Sequence, residues 1–227
     1  MVTSNTETLL RMDPPTGAKQ RWRFRVVIPA FPALNVYSSF ARRMTAVGPV
    51  CVATAANKLQ WWDVEVIDEN NFRNAGFRTK DGFPDHHKLQ EVRPADAVGF
   101  YGGLTSTIPR LYKISSEYKA MGCTVIAGGQ HFVDETINEA FDHGIDYIVE
   151  GEGEITIRSL LTTLQEGGDM STVEGLVYRA QDDHFVRTGR RERLTNFEQM
   201  PLPDLGLLLS AKIKWFPVTW TRGCGMN

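Results

Sequence analysis

Strand-like and helix-like segments alternate along this chain, and that alternation constrains the fold more than any other feature of it. Short apolar runs rich in β-branched residues occupy 23–29, 64–68, 95–101, 123–127 and 145–149, with helical material at about 36–60 and after each of the last three runs. A strand followed by a helix most readily returns to lie parallel to its neighbour, so the chain reads as a parallel sheet covered by helices on both faces. The helices carry their own punctuation. Ser106 or Thr107 can cap a helix with Pro109 in its first turn, an apolar stripe of Leu111, Ile114, Tyr118 and Met121, and Gly122 at its end. A second runs from about Val133 to His143 before Gly144, and a third carries Ile155, Leu160, Leu161 and Leu164 before Gly167 and Gly168. The expected fold is α/β: a flavodoxin-like, Rossmann-like doubly wound five-stranded parallel sheet.

Near residue 169 the pattern changes. Residues 173–179 and 184–187, joined by a turn at 181–183, read as a β-hairpin. In Pro201-Leu202-Pro203-Asp204 neither proline suits a helix interior or a central strand, so this stretch reads as a linker. The expected organisation is a mobile N-terminal arm at 1–20, a ligand-binding domain at 21–168, a small C-terminal β-hairpin annex with its linker at 169–214, and the start of a further domain at 215–227.

Composition narrows the function classes. A chain of 227 residues, 42% hydrophobic and 23% charged, can bury one substantial core. Its formal net charge of −2 gives no basic footprint for nucleic acid. No apolar run approaches the roughly 18 residues of a membrane span, and residues 1–20 lack the apolar centre of a signal peptide. Cysteines 51, 123 and 224 are an odd and sparse set that suits a reducing compartment better than a disulfide framework, so the cytoplasm is the expected location.

In doubly wound sheets ligands sit at the carboxyl ends of the strands. There the third strand ends in Gly102-Gly103-Leu104-Thr105-Ser106-Thr107, the fourth in Gly128-Gly129-Gln130-His131 and the fifth in Glu150-Gly151-Glu152-Gly153-Glu154. Each turn offers backbone N–H groups at a helix N-terminus, which suits a polar or anionic ligand part. Each is equally what a tight turn or a helix cap requires. Other readings fail on particular residues. No Gly-x-Gly-x-x-Gly follows the first strand and no lysine-bearing phosphate loop exists, while Asp68, with only Glu69 beside it, lacks the acidic cluster of a receiver domain. Asp85-His86-His87 raises the question of a metal, but adjacent helical residues point about 100° apart, and a solvated face is the expectation.

Taken in order, Gly128-Gly129-Gln130-His131, Gly151-Glu152-Gly153-Glu154, Pro201-Leu202-Pro203-Asp204 and Arg222-Gly223-Cys224 resemble the cobalamin-binding domain that precedes the catalytic domain of radical S-adenosylmethionine enzymes. The resemblance spans about residues 22–227. It implies that Cys224 is the first ligand of a Cys-x3-Cys-x2-Cys loop holding a [4Fe-4S] cluster, with the second ligand one residue beyond Asn227, so that this is the front part of a larger enzyme. It also implies a cobalamin site. The nucleotide tail's phosphate and sugar would lie near Thr105, Ser106 and Thr107, and its dimethylbenzimidazole against Gly128 and Gly129. The corrin face would rest on the loop at about 30–37 and on the turns at Gly102-Gly103 and Gly151-Glu152, with Leu104, Gln130, His131 and Gly153 completing the set.

The implied activity of the intact enzyme is methyl transfer: cleavage of S-adenosylmethionine gives a 5′-deoxyadenosyl radical, which takes a substrate hydrogen, and the substrate radical takes methyl from methylcobalamin. Its partners would be a small-molecule substrate and an electron donor such as flavodoxin or ferredoxin. The alternatives are a non-catalytic corrinoid-binding or docking module, and a cobalamin-dependent radical rearrangement or oxidation. One departure bears on the cobalt. Cobalamin carriers of the methionine-synthase type use Asp-x-His-x-x-Gly after the first strand, whereas residues 30–37 contain no histidine. The expectation is a lower cobalt face without a histidine, His131 serving a structural role.

Overall fold

A computed structural model describes residues 21–33, 35–180, 182, 184–189, 191 and 201–217. Its elements are β1 (Trp22–Ile28), α1 (Ser38–Ala41), α2 (Val47–Ala56), β2 (Trp62–Asp68), α3 (His86–Val92), β3 (Ala97–Tyr101), α4 (Ile108–Ala120), β4 (Thr124–Gly128), α5 (Asp134–Asp142), β5 (Tyr147–Val149), α6 (Gly153–Glu166), β6 (Leu176–Arg179) and β7 (Phe185–Arg187). They form one sheet in the order β2-β1-β3-β4-β5-β6-β7. The first five strands are parallel and in the expected doubly wound order. The strand count differs from the expectation of five. The hairpin pairs antiparallel to β5, with Tyr147 opposite Tyr178 and their rings 6.0 Å apart, and so continues the sheet. Without it β5 would be an open edge.

Alternation along the strands sorts the core into two layers. Val27, Val98, Val125 and Ile148 face α3, α4 and α5, where Leu111, Ile114, Tyr118 and Ile137 meet them. Their neighbours Val26, Ala97, Ile126 and Val149 point the other way, onto Ala53 and Ala56 of α2 and Ile157, Leu160 and Leu161 of α6. The helix ends follow the punctuation. Gly167 takes the left-handed conformation (φ 64°) that closes α6. Thr107 stands at the N-cap of α4, yet its hydroxyl donates to the Leu104 carbonyl and accepts no cap hydrogen bond. The open edge of β2 is covered by the 205–215 strap, where Leu209 N donates to Val66 O and Lys212 N to Asn71 O.

A charged chain runs through the α3–α4 layer. Arg25, fully buried in the middle of β1, donates to Glu65 Oε1 (2.7 Å) and to the Tyr118 hydroxyl (2.9 Å). The Tyr118 oxygen is also 2.9 Å from His86 Nδ1, and His86 Nε2 is 3.1 Å from Glu69 Oε1. A hydroxyl donating to Nδ1 and an Nε2–H donating to Glu69 satisfies every member. Arg110 Nε closes the far end, 3.0 Å from Glu69 Oε2. His86 therefore does not lie on a solvated face, as its sequence suggested: it is 3% exposed, while His87 beside it points outward.

Burial alone would push the Glu69 pKa up, but hydrogen bonds from His86 and Arg110 and the Arg110 charge outweigh it and hold the carboxyl at about 2, against an ordinary 4.5. A depressed acid contributes stability that is complete above its unfolded pKa and is lost as pH falls toward its folded one. The loss should lie between about pH 4.5 and pH 2. Glu69→Gln should lower stability at pH 7 by about 3 kcal/mol and flatten that acid limb, read by urea unfolding across the pH range. An acid limb as steep as the wild type's would refute the assignment.

Candidate functional site

At the carboxyl edge a cavity of about 470 Å³ opens between the sheet and the pair α2 and α6. Its floor is apolar, with Phe24, Val26, Ile126 and Val149 from the strands and Val52 and Ile157 from the helices. Glycine shapes it in two ways. A Cβ on Gly99 would stand 2.7 Å from the Phe24 ring, so that ring lies across β3 only because Gly99 has no side chain. Gly48 and Gly151, by contrast, would meet no atom within 4 Å, and Gly128 only Val149 at ordinary contact distance. At these three lining positions the missing side chain leaves open space, which is the property a bound group needs.

The three turns singled out in the sequence are not equivalent. Gly128, Gly129, Gly151, Glu152 and Gly153 line the large cavity. The first two turns are tied together: Gly102 N donates to Gly128 O, His131 N to Gly102 O, and Phe132 N to Gly129 O. That tie dictates their glycines. Gly129 has φ 130° and a Cβ there would be 2.6 Å from the Gly102 backbone, while a Cβ on Gly102 would meet Phe132 at 2.4 Å. Gly103 makes room for the Tyr101 ring. Thr105 and Ser106 sit exposed in a 3-10 turn leading into α4, and Gln130 is exposed in its loop. His131 Nδ1 lies 3.4 Å from Thr105 Oγ1 and its ring meets Phe132 edge-on, while its Nε2 is buried without a partner. Burial lowers the His131 pKa, opposed by Glu139. His131 lines neither of the two cavities described here.

A second, smaller cavity of about 190 Å³ adjoins the first through Tyr101, which lines both. It lies under the loop after β1, between Phe31, Tyr37, Phe40 and Met44 on one side and Leu104 and Thr107 on the other, with Thr45, Asp68 and Asn70 also lining it. Three consecutive residues after β2 clamp that loop. Glu69 Oε2 accepts from Ala30 N (2.9 Å), Asn70 Oδ1 from Phe31 N (3.0 Å), and Asn71 Nδ2 donates to Ala41 O and Met44 O (2.6 and 3.0 Å). Asp68 in turn accepts from the side chains of Asn70 and Asn71. Burial raises the Asp68 pKa, with hydrogen bonding from Asn71, Asn70 and Thr45 opposing it.

Sequence reasoning missed this clamp and the contribution of α2. Asp68 and Glu69 were legible only as an isolated acidic pair, and the one available signal was the run Asp-Glu-Asn-Asn at the carboxyl end of a strand. Cys224, the expected cluster ligand, lies outside the described residues, and so do 1–20 of the expected arm. Cys51 and Cys123 are both buried. Among the described residues no cluster of His, Cys, Asp and Glu could hold a metal ion, and no helix is long and apolar enough to cross a membrane.

The fold is that of a doubly wound α/β domain with a cavity at its carboxyl edge, and comparison with known proteins narrows the class. No family model matches the chain. It is 30% identical over 175 residues to an uncharacterized methyltransferase of Pyrococcus horikoshii, covering 73% of this chain and 36% of that protein. It is 29% identical over 155 residues to the anaerobic magnesium-protoporphyrin IX monomethyl ester cyclase of Rubrivivax gelatinosus, covering 60% of this chain and 26% of the cyclase. The chain thus spans about a third or less of these relatives.

Among solved structures it resembles the cobalamin-dependent S-adenosylmethionine radical enzyme OxsB with aqua-cobalamin bound (TM-score 0.61, 19% identity, 83% of this chain and 25% of that one). It also resembles the radical S-adenosylmethionine methyltransferase TsrM of Kitasatospora setae with cobalamin and a [4Fe-4S] cluster bound (TM-score 0.58, 20% identity, 80% of this chain and 31% of that one). Over about four-fifths of its length, then, the chain has a fold found in cobalamin-dependent radical S-adenosylmethionine enzymes.

The Phe24–Gly99 contact gives a direct check on the cavity. Gly99→Ala should force the ring off β3 and cost about 1–3 kcal/mol through overpacking. Phe24→Leu in the same chain should recover most of that loss, so the two substitutions should be strongly non-additive in a thermal-unfolding double-mutant cycle. Additive effects would mean that the ring and the glycine are not in contact.

Proposed function

We propose that this chain binds cobalamin and serves as the cobalamin-binding part of a radical S-adenosylmethionine enzyme, with residues 21–168 as the binding unit. The observation that carries the reading is the apolar slot at the carboxyl edge, whose walls are open at Gly48, Gly128 and Gly151. Its volume falls in the range of small-molecule sites, roughly 300–1,000 Å³. A flat, apolar, bicyclic dimethylbenzimidazole suits such a slot, entering between the sheet and α2/α6 against Gly128 and Gly129. The corrin would then lie over the edge, supported by the clamped 30–44 loop, Tyr101 and Leu104, and the Gly151-Glu152 turn. Thr105, Ser106 and Thr107 at the start of α4 offer hydroxyls and backbone N–H groups to the nucleotide's sugar and phosphate.

The bound cofactor supplies a cobalt-carried methyl group, and we assign the intact enzyme to methyl transfer onto a substrate radical, with a cluster begun at Cys224, S-adenosylmethionine, a small-molecule substrate and a reducing protein partner in the cytoplasm. The relative described as a methyltransferase and the likeness to TsrM support that choice. The chain's own residues bind and orient. Apolar strand side chains exclude water from the slot, and the clamp fixes the height of the loop under the corrin. The loop at 30–37 carries no histidine, so it would offer bound cobalamin no imidazole donor.

Titration with aquacobalamin, followed by its visible spectrum and by equilibrium dialysis, tests the reading. The wild-type chain should bind stoichiometrically. Gly128→Leu, whose Cβ meets only ordinary contacts, should keep its fold while its longer side chain fills the slot and weakens binding by more than about tenfold, or about 1.4 kcal/mol. The Co(II) form should show no nitrogen triplet in electron paramagnetic resonance. Absence of binding by the folded wild-type chain, or unchanged binding by Gly128→Leu, would reject the proposal. A triplet removed by His131→Ala would show that His131 is a cobalt ligand.

A further inference from the structure

The smaller cavity has an apolar wall and polar hydrogen-bonding capacity that the protein does not use up. Thr45 is 2% exposed, and its hydroxyl lies near enough to the Asp68 carboxyl to oppose the effect of burial on it, but not at the geometry of a full hydrogen bond. Asp68, 1% exposed, accepts from the Asn70 backbone and side chain at Oδ1 and from Asn71 at Oδ2. A carboxylate has room for about four such bonds, so one position remains beyond these three, and the Thr45 contact fills it incompletely. Two other polar side chains of the lining are engaged: Asn70 accepts from Phe31 N and donates to Pro29 O, and Thr107 donates to Leu104 O. What remains is one buried hydroxyl and one carboxylate acceptor position side by side, beneath an entrance flanked by the exposed side chains of Tyr37, Phe40 and Leu104.

We propose that this cavity receives one primary amide arm of the corrin, its NH₂ donating to Asp68 and its carbonyl accepting from the Thr45 hydroxyl. The inference rests on the cobalamin reading and deepens it. A primary amide presents a donor and an acceptor side by side at the end of a short apolar stem, which matches a polar floor under an apolar wall. Position agrees as well. The corrin's propionamides project from the same face as its nucleotide tail, and this cavity adjoins the slot assigned to the tail, sharing Tyr101. A carbonyl set squarely on the Thr45 hydroxyl also removes the cost of a buried polar group that is poorly paired.

Charge exchange on the ligand tests it. The cobalamin b-, d- and e-monocarboxylic acids each replace one propionamide by a carboxylate, and a carboxylate brought against Asp68 is repelled. At neutral pH one of the three should bind the wild-type chain about tenfold or more weakly than cobalamin, and Asp68→Asn should restore that isomer selectively. Three isomers that bind as cobalamin does, or a penalty unchanged in folded Asp68→Asn, would overturn the amide-arm assignment. Failure of the wild-type chain to bind cobalamin itself would reject the underlying reading instead. Thr45→Val keeps the shape and removes the hydroxyl, so the test survives if Asp68→Asn does not fold. It should weaken intact cobalamin about fivefold with little change in thermal unfolding, and unaltered affinity would count against the proposal.

Discussion

The contact on which the site depends is a phenyl ring lying where a side chain should be. Strands β1 and β3 are neighbours, and a Cβ on Gly99 would come within 2.7 Å of the Phe24 ring. Because β3 has a glycine there, the ring can reach over the strand and form part of the floor of the large cavity. The helices above could in principle have closed onto that floor. They pack on each other instead, with Gly153 at the start of α6 approaching Val52 of α2, where a Cβ would stand 3.1 Å away. An open apolar space next to a close-packed core is costly unless something fills it. The cost is concentrated at the carboxyl edge, where doubly wound sheets bind their ligands.

The polar part of the structure is organised around a different constraint, the burial of charge. Arg25 on β1 and Glu65 on β2 face the same layer, and neither is tolerable there alone. The chain through Tyr118 and His86 to Glu69 carries the hydrogen bonding from the middle of the sheet to its edge. Glu69 then fixes Ala30, so the loop over the smaller cavity is held by a network rooted in the core. Asn71 joins two further segments to the same point. Its side chain holds the carbonyls of residues 41 and 44, and its own carbonyl receives Lys212 of the strap. The strap continues to Arg43, whose carbonyl accepts from Lys214 and Trp215 while its guanidinium lies 5.2 Å from the Trp215 ring centre. The segment preceding the expected cluster loop is thereby laid beside the loop expected to support the corrin.

How much of this was legible in the sequence follows from which forces are local. Strand runs and glycine-punctuated helices are local signals, and each of the five expected strands formed within about two residues of its expected ends. The order β2-β1-β3-β4-β5 follows from chirality and short connections and needed no long-range information. The hairpin was legible as a hairpin, but its attachment was not. Pairing of Val149 with Leu176 depends on β5 having a free edge, which no residue of the hairpin announces. His86 misled for a related reason: the sequence shows two adjacent histidines with opposite fates and gives no hint that Tyr118, 32 residues on, supplies a partner for one of them. At the edge, the glycine turns were visible, but glycines that avoid a collision and glycines that leave space look the same in a sequence. Gly102 and Gly129 are of the first kind, Gly128 and Gly151 of the second.

The two cavities together impose more than either would alone. An apolar slot binds any flat hydrophobic group with little regard for its orientation, because dispersion and the hydrophobic effect carry no direction. A buried hydroxyl beside a carboxylate has direction but little binding strength, since each hydrogen bond exchanged with water returns only about 1 kcal/mol. A ligand that reaches both is held by the first and oriented by the second, and Tyr101, lining both spaces, sets the distance its two parts must span. On the proposed reading the corrin is such a ligand, with a tail for the slot and an amide arm for the polar floor. Two such anchors at the edge would fix the macrocycle against rotation about the tail, which a single slot cannot do. A domain that must present one face of its cofactor to a separate reacting centre needs that restriction, because a methyl group aimed a few ångströms aside would not reach its acceptor.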